Sequence, residues 1–282
     1  MEIVSKASRM REVAKALHAR QQSLAFVPTM GALHEGHLSL VRRARELADT
    51  VVVSIFVNPT QFGPNEDFTR YPRDLESDCR MLSALDVEYL FTPEVEEMYP
   101  EDSRTFVEVE GWGGYLCGTT RPGHFRGVTT VVAKLFNIVT PDFAVFGRKD
   151  AQQAILIERM TRDLKFNVQI VTCPIVREPD GLAMSSRNRY LSPAQRQAAL
   201  VLHHSLLRAR AMIERGESNA DVIRGGMKKV FDGEPLARVD YIELVDPATL
   251  RPVDTIRKGT LIAVAAYLGT TRLIDNWSAE TP

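Results

Sequence analysis

The stretch Val51-Val52-Val53-Ser54-Ile55-Phe56-Val57 does most to narrow the fold. It is an uninterrupted apolar run rich in β-branched residues, without the polar alternation of a strand that has one wet face. A strand buried on both faces belongs to a parallel sheet covered by helices. The surrounding chain keeps the matching rhythm. Residues 7–20 place Met10, Val13, Ala14 and Leu17 at helical spacing, an apolar strand delivers the chain to Phe26-Val27, and Leu38 to Ala48 again has a helical period. After the central run come a helix from about Leu75 to Leu85, a strand from Val87 to Phe91, a helix from Val128 to Val139 and a strand from Phe143 to Gly147. A helix from Gln152 to Leu164 and a strand from Val168 to Val171 complete this half. Strands and helices alternating at this spacing imply right-handed crossovers and a doubly wound sheet, with a ligand crevice at the carboxyl ends of the strands.

The character changes towards the end of the chain. Ser192-Pro193 is a good helix start, followed by Ala194, Ala198, Val201, Leu202, Ser205, Ala209, Met212 and Ile213 at helical period. A second helix runs to about Phe231, and two strand-like runs, Arg238 to Val245 and Leu261 to Tyr267, close the chain. The expected fold class is therefore α/β: a Rossmann-like, doubly wound parallel sheet over residues 1–175, followed by a smaller α+β domain over residues 176–282.

Near-equal charge, 35 basic against 36 acidic residues, argues against a broad electrostatic footprint for nucleic acid or an anionic membrane, so small ligands are the expected partners. Cys79, Cys117 and Cys173 lack the short paired spacings of zinc or redox sites and read as reduced thiols. Glu2, Lys6, Arg9, Arg11 and Glu12 interrupt the N-terminal region, which rules out a signal-peptide pattern and makes the cytoplasm the expected location.

Chemistry concentrates at strand ends. Phe26 to His37 reads as strand, turn and helix, the helix beginning near Gly36 with His34 and His37 beside its first turn. Free amides at such a helix start, with two imidazoles, suit a phosphate; equally, two histidines three residues apart can be a surface pair. Lys149-Asp150 follows the strand ending at Gly147 and could meet a phosphate and ribose hydroxyls, or be an ordinary surface pair. Met184-Ser185-Ser186-Arg187 could grip a polyphosphate through charge-assisted bonds or be a polar linker. Gln61 and Gln153 also follow strand ends, where amides can orient a carboxylate nucleophile without neutralising it. Asp78, in the helix after the Gln61 loop, reads as a surface residue, a Mg²⁺ ligand or a partner of Lys149. His124 and Arg126 read as loop-packing residues or a basic gate within the Gly-rich stretch 106–127, expected to be an irregular loop.

Taken together, these motifs carry a resemblance. His34 to His37 resembles the turn of the class I nucleotidyltransferase superfamily. Phe26 to His37, Ser54 to Pro59 with Gln61-Phe62-Gly63-Pro64-Asn65-Glu66-Asp67, Arg121 to Gly127, Lys149-Asp150 with Gln152-Gln153, and Arg177 to Ser192 are similar to the pantothenate synthetase family, in order and over nearly the whole chain. The resemblance implies a cytoplasmic, homodimeric ligase that joins (R)-pantoate to β-alanine with ATP and Mg²⁺ through a pantoyl adenylate. It implies His37, His34, Lys149 and Arg187 as catalytic groups. ATP would be bound by Met30, Gly31, His34, His37, Gly147, Lys149, Asp150, Val176, Met184, Ser185, Ser186 and Arg187, and pantoate and β-alanine by Gln61 and Gln153. The chain departs from the family pattern at Thr60, Cys117, Arg148 and Ala151, where leucine, an acidic residue, an acidic residue and an aromatic are common. Two other readings differ in class: a nucleotidyltransferase acting on a phosphate-bearing substrate, expected to carry Lys or Arg in place of Gln61 and Gln153, and a nucleotide-sensing module without catalysis.

Overall fold

The structure is a computed structural model that describes residues 1–64 and 66–280. It divides into two compact units, one of residues 1–113, 121–148 and 153–174, the other of residues 114–120, 149–152 and 175–282.

The first unit is built on β1 (Glu2–Val4), α1 (Ala7–Ala19), β2 (Leu24–Thr29), α2 (Glu35–Leu47), β3 (Thr50–Ile55), α3 (Leu75–Ser83), β4 (Tyr89–Phe91) and α4 (Val95–Met98). After α5 (Cys117–Thr120), which belongs to the second unit, come α6 (His124–Val139), β5 (Phe143–Gly147), α7 (Ala151–Asp163) and β6 (Gln169–Cys173). The strands form one parallel sheet in the order β1-β4-β3-β2-β5-β6. Successive side chains of a strand point to opposite faces, and the buried sets divide accordingly. Leu24 and Phe26, Val52, and Ala144 and Phe146 pack with α1, α6 and Ile157 and Met160 of α7. Ala25 and Val27, Val51 and Val53, and Val145 pack with Leu40, Val41 and Ala44 of α2 and with Leu82 of α3. Burial on both sides is why β2, β3 and β5 lack polar alternation. From β2 the chain moves outward through β3 to β4, then returns to the other side of β2 at β5, so the strand order reverses between β2 and β5. In such sheets ligands bind outside the carboxyl ends at the reversal. The carboxyl end of β2 leads into the His34–His37 turn and that of β5 into Arg148.

The second unit stacks α8 (Pro193–Ala198), α9 (Leu200–Glu214) and α10 (Ala220–Asp232) on an antiparallel sheet of β7 (Ala237–Val245), β8 (Leu261–Leu268) and β9 (Thr271–Ser278), in that order. Ser192 and Gln195 form a reciprocal capping box at the start of α8.

Several elements differ from the sequence reading. β1 is a three-residue edge strand in which only Val4 is buried, too little pattern to register. β9 pairs with β8 along its whole length, yet Asp275 and Asn276 are among its buried residues, so no apolar alternation marks it. The Gly-rich stretch is not wholly irregular: α5 lies within it, and α6 starts at His124, four residues before the apolar run, because Gly123 takes a left-handed φ of +81° and turns the chain into the helix. Asn65, one of the residues carrying the family resemblance, lies outside the described residues.

Candidate active site

The His turn has a closed backbone. His34 is the residue preceding α2, and its Nδ1 accepts the Gly36 amide at 3.1 Å, while its carbonyl accepts the His37 amide at 2.8 Å. Two amides that the sequence offered to a phosphate are therefore engaged by His34 itself. The Gly31 amide donates to Thr29 Oγ1 at 3.1 Å, and the Ala32 and Leu33 amides donate to the Asp78 carboxylate at 2.9 and 2.8 Å. Because Nδ1 of His34 accepts, its neutral ring carries the proton on Nε2. The His34 and His37 rings lie 4.1 Å apart between centroids, tilted by 41°, and both are half-buried. Roughly half a positive charge at the helix start adds to this corner's preference for anions.

Asp78 corrects the expectation of a surface residue. It is 1% exposed, in the first turn of α3, with each carboxylate oxygen on one backbone amide.

Gln61 stands in a short 3₁₀ turn, Pro59–Gln61, after β3, and is buried. Its Nε2 donates to Met30 Sδ at 2.9 Å, which joins the turns after β2 and β3, and its Oε1 accepts from Asn58 Nδ2 at 3.0 Å. Asn58, 1% exposed, also donates to the Gly127 carbonyl at 3.1 Å and accepts from Thr60 Oγ1 at 2.9 Å. It orients Gln61 from behind, a role the sequence reading did not give it. An Asn three residues before Gln61, at the end of an apolar strand, was the available signal. The same turn is pinned to the start of α6. Arg121 pairs with Glu66 at 2.6 and 2.7 Å, and His124 Nδ1 lies 2.8 Å from the Gln61 carbonyl. Burial, the largest single influence, pushes the Glu66 carboxyl up, but the hydrogen bonds and charge of Arg121, with smaller help from a backbone hydrogen bond at Gly63 and from His124, together bring the group below its usual range. His124 is thus a packing residue of this loop, while Arg126 lies over the Phe106 ring at 4.0 Å. Gln153 is half-buried on α7, and Gly147 ends β5.

In the second unit, Val176 and Met184 are brought together by a short hairpin: the Met184 amide donates to the Val176 carbonyl at 3.0 Å, and Arg177 bridges to Ala183. Ser185 caps the 3₁₀ turn Ser186–Tyr190, its hydroxyl accepting from the Arg187 amide at 3.3 Å, and Ser186 is buried. Charged groups hold the hairpin. Arg177 makes a two-pronged pair with Asp275 at 2.6 and 3.0 Å, and Arg196 reaches Glu178 at 2.5 Å and Asp180 at 2.8 Å. Glu178 also accepts from Asn188 at 2.9 Å. Gly181, with φ +98°, lets His203 approach where a Cβ would lie 2.2 Å from the ring. Lys149 and Asp150 lie in a one-turn 3₁₀ segment, and Asn276 donates to the Lys149 carbonyl at 2.9 Å. Glu178, Asn188, Arg196 and Asn276 were given no individual role from the sequence: the pairing of the first three within one hairpin and helix start is set by the fold, and the partner of Asn276 lies 127 residues away.

Among protein families, the model for Pantoate-beta-alanine ligase matches residues 2–278. The chain belongs to this family. Pantothenate synthetase of Thermosipho africanus is 53% identical over 276 residues, covering 98% of this chain and 99% of its own. A crystal structure of pantothenate synthetase from Thermus thermophilus matches with a TM-score of 0.95 at 47% identity, covering all of both chains. Pantoate-beta-alanine ligase from Francisella tularensis, in complex with Beta-gamma ATP and Beta-alanine, matches with a TM-score of 0.81 at 36% identity, over 100% of this chain and 99% of its own. The family's reaction, the joining of pantoate and β-alanine to give pantothenate, is the reaction of this chain.

Proposed function

We propose that this ligase activates (R)-pantoate with ATP as a pantoyl adenylate and then transfers the acyl group to β-alanine, releasing AMP and pyrophosphate. The Francisella neighbour, a complex with Beta-gamma ATP and Beta-alanine, supports both small-molecule partners. The observation that carries the residue assignment is the closed backbone of the Gly31–His37 turn. With the Gly31, Ala32, Leu33, Gly36 and His37 amides engaged inside the protein, the imidazole N–H groups are assigned as donors to a phosphate, the His34 proton being on Nε2.

The pantoate carboxylate is ionised at neutral pH, so activation needs no general base. One carboxylate oxygen bonds to the α-phosphorus as the bond to the pyrophosphate oxygen breaks, and charge accumulates on the departing pyrophosphate. His34, His37, Lys149, Ser185, Ser186 and Arg187 are assigned to balancing that charge by preorganised electrostatics. Met30, Gly31, Gly147, Asp150, Val176 and Met184 are assigned to the rest of the nucleotide. Gln61, held by Asn58 and Met30, and Gln153 are assigned to pantoate: an amide orients the nucleophile and leaves its charge intact. In the second step the β-alanine nitrogen bonds to the acyl carbon, the bond to the AMP oxygen breaks, and the amine proton passes to water or to a released phosphate oxygen.

Mg²⁺ is proposed to enter on the triphosphate. Among the described residues no group of three or more His, Cys, Asp or Glu side chains is placed to hold an ion, and Mg²⁺ in ATP sites commonly keeps waters and phosphate oxygens. A cytoplasmic homodimer is proposed on the family resemblance; no helix among the described residues is long and apolar enough to cross a membrane.

Pantoate labelled with ¹⁸O in its carboxylate tests the adenylate directly. One labelled oxygen should appear in AMP, and pyrophosphate should form with pantoate before β-alanine is added. Unlabelled AMP would overturn the intermediate.

A further inference from the structure

We infer that Asp78 is a positioning residue for the His34–His37 turn, acting through the backbone of Ala32 and Leu33. The inference rests on the assignment of that turn to the nucleotide. The turn is conformationally expensive: Gly31 and Ala32 both take left-handed backbone angles, φ +79° and +51°. Glycine adopts that region freely, whereas alanine does so only where its surroundings hold it there. Asp78 provides the hold. Its Oδ2 accepts the Ala32 amide at 2.9 Å, its Oδ1 accepts the Leu33 amide at 2.8 Å, and the whole residue is 1% exposed. A Cβ on Gly31 would sit 2.9 Å from Ile55 Cγ2 and 3.0 Å from Asp78 Oδ2, so the turn is wedged between β3 and α3 with no slack. α3 itself is fixed by Asp74, whose side chain accepts the Ser77 amide at 3.0 Å.

The chemistry favours a carboxylate. The two amides on it are N–H donors, so each oxygen must accept, and a buried anion between two amides makes strong, charge-assisted bonds. An asparagine of the same shape would turn an NH₂ against one of the amides. Through Ala32 and Leu33, Asp78 sets where His34 begins α2, and hence where both imidazoles stand. This differs from the role of a Mg²⁺ ligand, which would touch the substrate complex.

The test combines Asp78→Asn with Ala32→Gly. Asp78→Asn should lower the rate of adenylate formation about 10- to 100-fold, leave the pantoate Kd from calorimetry within about twofold, and leave the Mg²⁺ concentration for half-maximal rate unchanged. Adding Ala32→Gly, which removes the left-handed penalty, should recover several-fold of the lost rate. A metal ligand would behave otherwise: the half-maximal Mg²⁺ concentration would rise several-fold and glycine would give no rescue, which would overturn the inference. Amide hydrogen exchange provides a readout independent of activity and of any variant. In the wild-type protein, Ala32 and Leu33 should be protected with or without Mg²⁺. Fast exchange at both positions would overturn the positioning role even in a fully active enzyme. Absence of pyrophosphate release by the wild type, with both amides protected, would instead sink the adenylate reading and leave the positioning intact.

Discussion

Gly127→Ala sets two well-known effects against each other. Gly127 lies within α6, where replacing glycine by alanine ordinarily stabilises a helix by about 1 kcal/mol. Here an added Cβ would lie 2.3 Å from the Thr60 carbonyl oxygen, 2.6 Å from its carbon and 2.7 Å from the Gln61 amide nitrogen. All three are backbone atoms, so no side chain can rotate away. Ordinary contact requires the Thr60–Gln61 segment to retreat by roughly 1 Å. That retreat stretches the 3.1 Å bond from Asn58 Nδ2 to the Gly127 carbonyl and shifts Gln61 relative to Asn58 and Met30. Overpacking costs about 1–3 kcal/mol, and a weakened buried hydrogen bond adds about 1 kcal/mol. The clash therefore outweighs helix propensity, for a net loss of about 1–3 kcal/mol. Urea unfolding measures the stability, and steady-state kinetics should show a raised KM for pantoate with a much smaller change for ATP. A variant that is more stable than wild type, with unaltered pantoate KM, would refute the reasoning.

Other outcomes follow from the same geometry. His37→Ala should slow adenylate formation about 10²- to 10³-fold, the scale of a lost transition-state donor; an unchanged rate in a rapid-quench experiment would remove His37 from the chemistry. Gln61→Glu should weaken pantoate more than Gln61→Ala does, because a carboxylate would then oppose the carboxylate of the substrate, and calorimetric affinities in the reverse order would contradict the clamp. Burial, and next the positive Arg177, hold His203 below its ordinary value of 6.5, with His204 acting in the same direction and Asp275 and Asp180 against it. Below pH 6.5 the unfolded chain gains a proton at this position before the native state does, so stability is kept above that pH and falls as the pH drops further. His203→Gln should flatten the acid side of the thermal midpoint profile, and identical slopes would rule His203 out as the cause.

The sheet was legible because its strands are buried on both faces and so advertise themselves by composition alone. What escaped reading lay where polar groups are buried. β9 hides behind Asp275, which is acceptable in the interior because Arg177, almost a hundred residues earlier, pairs with it and the Asn276 amide donates to it. The site divides in the same way. His34, His37, Gln61 and Met184 to Arg187 could be picked out as local patterns, whereas the residues that hold them could not. Asn58 reaches Gly127 and Glu178 reaches Arg196 through space, and neither partner changes the local pattern. Asp78 was legible as a carboxylate but not as a buried one, because its helix carries polar residues on both sides in sequence.

The closed backbone also explains why this turn needs histidine rather than the glycine-rich cradle of other phosphate sites. A glycine loop presents its own amides to the ligand. Here Asp78, Thr29 and His34 engage the Gly31, Ala32, Leu33, Gly36 and His37 amides, which fixes the turn but withdraws those five backbone donors. Side chains placed at the helix start can make up for them. Ser, Thr, Asp or Asn could cap α2 equally well, since a cap requires only an acceptor. An imidazole combines the cap with a donor on one rigid ring: one nitrogen accepts the Gly36 amide and the other keeps an N–H about 2 Å further out, whereas an aspartate would offer acceptors only and add a negative charge. Position 34 thus joins a structural duty to a chemical one, and the second histidine, one turn along and 4.1 Å away between ring centroids, doubles the donors on the same corner.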